Sequence, residues 1–299
     1  DNKHISTTLF NRDQATPSSR TFYEKYYERL QQTYQDIIDL DFVDIIVPLE
    51  TSILNTGTVD FVTQLATYCS NFHNSTGHVQ IGIIGSRSNG IKASDIDTME
   101  QNSIFTNKFT IYDNATGQIS SDKGRYIFPV YGEMVFQHPQ IKLSYVSNAA
   151  AAVAGMISAA SMGKALIRTR IPGAMSLFGD DLTQPEYLRL ENIGINTLYR
   201  GKKTRRAVPF EVYLTNEYTM AAQSSPFTKL AQMRLISLVA SEITAVSHFD
   251  IMALDQIVFE AKQFLESLKT NSIINDYSFS VQTSETQRGV FIFEIGLLS

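Results

Sequence analysis

Asp41-Phe-Val-Asp-Ile-Ile-Val-Pro48 and His78-Val-Gln-Ile-Gly-Ile-Ile84 are two short apolar runs, and the segment between them decides the fold class. Thr58 can cap a helix there, in which Val59, Val62, Leu65, Ala66 and Cys69 share one face. Each flanking run is almost continuously apolar rather than alternating. Strand, helix, strand of this kind is the pattern of a parallel sheet covered on both faces.

Upstream, residues 1–20 are polar, carry Pro17, and read as an arm or linker. From Phe22 to Ile38 apolar residues recur at steps of three and four, which predicts a helix. Downstream, a helical segment is expected near Ala93–Ser103, then strands over Lys108–Tyr112 and Arg125–Phe136 with an Asp113-Asn-Ala-Thr-Gly117 turn between them. Ala149–Met162 reads as a small-residue helix able to pack closely on a neighbour. Gln184–Asn192 reads as a short helix capped by Thr183, with Pro185 in its first turn and Gly194 at its end. Ile195–Tyr199 begins the next strand. Val208–Leu214 has Pro209 near its start, which marks an edge or entry strand. Phe227–Ser247 and Ile251–Lys269 are long helical patterns. Tyr277, Phe279 and Val281 alternate with Ser278, Ser280 and Gln282 as a half-buried strand, and Val290–Leu297 is its expected hairpin partner. The expected architecture is a helix-flanked α/β sheet over residues 21–199, followed by an α+β C-terminal domain over 200–299.

The 299 residues are 43% hydrophobic and 18% charged, enough to bury a sizeable core. With 25 basic and 30 acidic side chains the net charge is -5, which argues against a general polyanion binder. Residues 200–299 balance ten basic against ten acidic side chains, so the deficit lies in residues 1–199. A lone cysteine, Cys69, excludes an internal disulfide and a cysteine zinc site. The longest apolar stretch, Ala149–Ile157, is too short to span a bilayer. The N-terminus is polar and unlike a signal peptide, and the missing initiator Met points to a piece of something longer.

Chemistry-bearing motifs are sparse. His4, His73, His78, His138 and His248 form no metal-binding spacing. Gly82-Ile-Ile-Gly85-Ser-Arg-Ser-Asn-Gly90 follows a buried strand and is open to two readings: a tight strand-to-helix loop, or a phosphate cradle of an α/β nucleotide- or phosphate-binding enzyme. Its spacing fits neither Gly-x-Gly-x-x-Gly nor a P-loop. Asp95/Asp97 and Asp180/Asp181 offer too few oxygens for a complete calcium site by themselves. No catalytic, cofactor or metal residue is assigned, and no enzyme activity is expected. Arg200, Lys202, Lys203, Arg205 and Arg206 crowd five positive charges into seven residues, which repel one another. They make a solvated loop, a nucleic-acid patch, or a contact with acidic surface on another copy; the lack of interleaved aromatics and the acidic remainder weigh against nucleic acid.

Several passages, taken in order, resemble the contractile tail sheath family of bacteriophages and related injection machines. Ala154-Gly155-Met-Ile-Ser-Ala-Ala-Ser-Met-Gly163 followed by Ile171-Pro-Gly-Ala174 resembles that family's Ala-Gly helix and loop. Leu182-Thr183 and Leu190-Glu-Asn-Ile-Gly194-Ile195-Asn196 resemble its Gly-Ile-Asn passage, and Phe227–Leu268 its paired C-terminal helices. Ser272–Tyr277 with Gly289–Gly296 resembles its closing hairpin. The likeness covers residues 40–299 and is best after Ala149; the chain departs from it in having no Trp.

The resemblance implies a non-enzymatic virion structural subunit. Copies would stack helically around a tail tube protein, between baseplate and tail terminator proteins. Contraction would drive the tube through the host envelope for genome delivery. It implies assembly in the bacterial host cytoplasm, no cofactor, no direct nucleic-acid contact and no membrane insertion. It also implies strand exchange between copies, for which Val290, Ile292, Ile295 and Leu297 are the candidates, along with the N-terminal arm. Lys202, Lys203, Arg205, Arg206, Lys229 and Arg234 are the candidate contacts to tube or neighbouring subunit.

Overall fold

The computed structural model describes residues 43–48, 52–54, 58–86, 90–101, 110–112, 119–138, 140–201, 211–222, 225–247, 254–283 and 291–298. The helix expected over 22–38 lies outside them. Residues 43–299 form one unit. Its centre is a five-stranded sheet in the order β1-β2-β5-β9-β10, built from β1 (Ile45–Ile46), β2 (Ile81–Ile84), β5 (Ile127–Tyr131), β9 (Asn196–Gly201) and β10 (Glu211–Leu214). The first four run parallel, with Ile45 opposite Ile81, Ile83 opposite Phe128 and Val130 opposite Asn196. β10 pairs antiparallel with β9 and is the last strand on that side of the sheet; its outer side bonds to the 168–171 segment, with Ile171 N on Val212 O at 2.9 Å and Leu214 N on Thr169 O at 3.2 Å, and Pro209 lies outside the described residues.

Both faces of this sheet are covered, which is why its strands are apolar on both sides. On one face, helix α1 (Thr58–Thr76) lays Leu65 against Gly82, where a Cβ would sit 2.5 Å from Leu65 Cδ2. On the other, Ile83, Phe128 and Val130 pack with Ala149, Ala150, Val153 and Met156 of helix α3 (Ala149–Ala159). The small residues serve close approach: Ala149 and Ala150 are fully buried, and a Cβ on Gly85 would lie 3.0 Å from that of Ala150. Each large aliphatic or aromatic side chain so enclosed contributes about 1.5–3 kcal/mol of transfer free energy.

Helix α2 (Ala93–Gln101) and the hairpin β3 (Thr110–Tyr112) with β4 (Ile119–Asp122) lie between β2 and β5. The single strand expected over Arg125–Phe136 is instead a 3-10 turn (Lys123–Tyr126) and two strands in different sheets. β5 ends at Tyr131, and β6 (Glu133–Gln137) joins β7 (Ser144–Asn148) and β8 (Ala174–Leu177) in an antiparallel sheet. Gly132 is the break, for local reasons. Its N–H donates to Ser86 Oγ at 3.0 Å, and its carbonyl accepts from Ala149 N at 3.1 Å, so neither serves a continuous ladder. The short strands β4, β7 and β8 had no place in the sequence reading.

Helix α4 (Gln184–Asn192) forms where expected. The Glu186 carboxylate accepts from Thr183 N–H and Oγ1 at 2.6 and 2.8 Å. Gly194, at φ +77°, ends the helix, with Gly194 N bonded to Glu191 O and Ile195 N to Leu190 O, the paired bonds of a Schellman motif. The boundary read at 199/200 falls inside β9, and β10 beyond it returns to the same sheet.

The last quarter of the chain holds helix α5 (Leu230–Ser247), helix α6 (Leu254–Thr270) and the hairpin β11 (Asp276–Thr283) with β12 (Phe291–Leu298). α5 serves two cores. Leu230 and Met233 belong to the sheet's core, while Leu235, Val239 and Ile243 pack with Ala261, Leu265, Leu268 and Ile274 in a second one.

Candidate assembly surfaces

The Gly82–Gly90 loop is committed to internal contacts where it is described. Ser86 is fully buried, with its hydroxyl on Gly132. Gly90 N–H, one of the amides a bound phosphate would use, donates to Glu133 Oε2 at 2.9 Å. The buried Glu133 carboxylate therefore stands where an anion would, and the phosphate-binding reading finds no support. The acidic pairs are likewise engaged. Tyr131 OH donates to Asp95 Oδ2 at 2.8 Å, and burial pushes that phenol's pKa up. Arg189 on α4 reaches Asp97 at 2.5 Å and Glu100 at 2.6 Å on α2. Asp181 pairs with Arg200 at 2.9 Å. Burial raises the Cys69 thiol to about 12, so it is no nucleophile at neutral pH. Among the described residues, no group of three or more His, Cys, Asp or Glu could hold a metal ion. None of the described helices is long and apolar enough to cross a membrane.

What remains is exposed apolar surface. The β11–β12 ribbon is two-stranded, and in register Phe279 faces Ile295 and Tyr277 faces Leu297. These side chains, with Phe293, pack on the second core. The opposite face carries Ile292, Glu294, Gly296 and Leu298, of which Ile292 is 51% and Leu298 61% exposed. Of the strand-exchange candidates, Ile295 and Leu297 face inward, Ile292 outward, and Val290 lies outside the described residues. Among the described residues, no third strand pairs with either outer edge of the ribbon.

A second surface went unnoticed in sequence. Ile141, Leu143, Tyr145 and Val146 on and before β7, with Met175 on β8, are each 45–65% exposed. Tyr145 stacks on Phe136 at 5.7 Å. The alternation Ile141-x-Leu143-x-Tyr145 was the available signal. β7 is an edge strand with no charged residue or proline to blunt it.

The basic candidates divide. Lys202, Lys203, Arg205 and Arg206 lie outside the described residues. Lys229 is exposed and bridges Tyr218 through its backbone just before α5. Arg234 is half-buried and donates through Nη2 to Ala160 O at 3.1 Å. Burial lowers its pKa.

The α/β sheet, its antiparallel annex and the helical lobe with its ribbon make a fold similar to that of solved sheath proteins. The sheath tail protein of Desulfitobacterium hafniense shares it at TM-score 0.56 and 12% identity, over 90% of this chain and 60% of that one. The sheath tail protein of Listeria innocua shares it at TM-score 0.57 and 13% identity, over 89% and 59%. So does the PVC sheath of an extracellular contractile injection system in its contracted state, at TM-score 0.56 and 12% identity, over 87% and 68%. The chain thus spans about three fifths of the length of the two tail proteins. No family model and no curated protein matches the sequence.

Proposed function

We propose that this chain is a structural subunit of a contractile sheath. Copies assemble helically around an inner tube, and their collective shortening drives the tube through a cell envelope. The observation that carries this is the shared fold over about nine tenths of the chain with sheath proteins from tails and an injection system. The internal use of the Gly82–Gly90 loop, which removes its claim to a phosphate, supports it. Its partners in this reading are further copies of itself, a tail tube protein, and baseplate and terminator proteins at the two ends. Its place is the tail of a virion or injection particle, assembled in the bacterial cytoplasm. It acts through contact surfaces and not through catalysis.

The two surfaces divide the work. The open edges of the β11–β12 ribbon accept strands from neighbouring copies, whose backbone hydrogen bonds hold while domains turn. The apolar β7 edge is a second contact between copies. The basic segment Lys202–Arg206 meets acidic surface on a tube or neighbour, setting register more than affinity. Electron microscopy of the purified protein tests the assembly directly. Rings or hollow striated tubes are expected, and discrete single particles at all concentrations would overturn it. Charge reversal at Lys202, Lys203, Arg205 and Arg206 should impair assembly on tubes; full-length sheaths from that variant would dismiss the segment's role.

A further inference from the structure

Six large apolar side chains among the described residues are more than half exposed, and they fall in two places. Ile141, Leu143 and Tyr145 lie on the β6–β7 hairpin; Phe259, Ile292 and Leu298 lie on the lobe formed by α6 and the ribbon. The hairpin tip is held in one shape. His138 N–H donates to Leu143 O at 2.8 Å, Lys142 N–H donates to His138 O at 3.0 Å, and Lys142 takes a φ of +56°. His138 Nδ1 accepts from the N–H groups of Gln140 and Ile141 at 3.3 Å each. On the lobe, Ile292 and Leu298 are six residues apart along β12, about 20 Å, with Glu294 and Gly296 exposed between them, so they make no common patch. Phe259 instead lines an open groove of about 680 Å³ along α6, together with Lys262, Glu266 and Tyr277.

The two surfaces are opposite in charge. From Phe136 to Asn148 the sequence has one lysine, Lys142, and no acidic residue. The described residues of the lobe, 254–283 and 291–298, carry five acidic and two basic side chains. Asp255 lies one turn before Phe259 on the same face of α6, and both Lys142 and Asp255 are exposed. In a helical assembly of identical chains, a patch on one copy meets a different patch on the next, and the contact repeats without closing. Resting on the sheath reading, we infer that the β6–β7 tip of one copy seats in the α6 groove of the next, with Leu143 against Phe259 and Lys142 toward Asp255. This supplies the other half of the contact made by the β7 surface: apolar side chains on both sides leave water together, and the opposite charges set which patch meets which.

Cysteine cross-linking between copies tests it, because a disulfide needs Cα atoms within about 7 Å of each other. Leu143→Cys and Phe259→Cys are made in separate chains; both sites are exposed, and native Cys69 is fully buried. Oxidising the mixture is expected to give a disulfide-linked dimer that neither variant gives alone, and a chain carrying both substitutions is expected to give a ladder of linked copies. Adding Lys142→Glu should cut the yield about two- to fivefold, the factor for an exposed ion pair. Lys92→Glu, at an exposed lysine on neither surface, should leave it unchanged. A dimer from Leu143→Cys alone would mean a two-fold contact between hairpins and would overturn the inference, as would a mixture that yields no dimer or a yield indifferent to Lys142→Glu. Electron microscopy of the same samples separates the two readings. Rings or tubes without the 143–259 bond would overturn this contact and leave the sheath reading standing; the bond without rings or tubes would do the reverse.

Discussion

Asn196 offers the sharpest test of how this fold is held. It is the Asn of the Gly194-Ile195-Asn196 passage and is fully buried in β9. Its Nδ2 donates to Pro129 O at 2.9 Å on β5 and to Tyr218 O at 2.7 Å, and its Oδ1 accepts from Tyr218 N at 2.6 Å. One amide thus ties the middle of the sheet to the segment leading into α5. Asn196→Ala strips one donor and two acceptors of their partners at once. Each orphaned group costs about 1–3 kcal/mol, and partial relaxation brings the sum to about 3–5 kcal/mol. For a unit of this size that lowers the melting temperature by about 8–15 °C. Urea unfolding followed by far-UV circular dichroism reads it directly. Asn196→Asp sharpens the test. It keeps the acceptor for Tyr218 N–H but turns a second acceptor toward two carbonyls. At neutral pH it should be at least as damaging as alanine. Burial would raise the new carboxyl's pKa in the folded state, so its deficit should shrink as pH falls and the group takes up a proton it can donate. A loss below about 1 kcal/mol for Asn196→Ala would refute the reasoning, since it would mean that Tyr218 needs no partner from β9.

Two glycine replacements should act in opposite directions. Gly179 has φ +109°, and a Cβ there would lie 2.1 Å from Ile91 N, in the bridge where Ile91 N bonds Phe178 O and Asp180 N bonds Ile91 O at 2.8 Å each. Backbone cannot yield as a side chain does, so Gly179→Ala should cost more than about 3 kcal/mol in the same unfolding assay. Gly155 sits in α3 with open space around it, so Gly155→Ala should stabilise by about 0.5–1 kcal/mol through helix propensity. Arg189 hydrogen bonds hold the Glu100 carboxyl below the usual carboxylate range. The stability this lends is present above the unfolded-state pKa and is lost as pH falls through the folded one. Arg189→Ala should move the Glu100 titration upward in a carboxyl NMR experiment and flatten that part of the acid limb, and an unmoved titration would count against the pairing.

Much of the scaffold was legible residue by residue. Thr183, Pro185 and Gly194 bracket α4 because capping and left-handed termination are local chemistry, settled within a few residues. Pro209 suggested an edge or entry strand, since a missing N–H is tolerated only there, and β10, which begins after it, is the last strand of its sheet. The inward row Tyr277, Phe279 and Phe293 could be read in part from period-two alternation. The strand pattern over 125–136 misled for the opposite reason. Nothing within it reveals that Ser86 and Ala149, both distant in sequence, take the hydrogen bonds of Gly132 and turn one apolar run into two sheets. The phosphate-loop reading failed similarly, since Gly90 meets a carboxylate from position 133.

By itself the sequence determined the parallel α/β core, the two long C-terminal helices and the ribbon, since periodicity and caps are short-range properties of the chain. Tertiary structure alone decided which polar groups face inward together and which apolar ones are left outside. The Asn196 tie, the Glu133 plug in the glycine loop, the exposed edge of β7 and the bond from Arg234 to Ala160 O each depend on residues brought together from distant parts of the chain. A buried hydrogen bond or an unpaired charge is a property of the pair, and neither partner's neighbours in sequence report it.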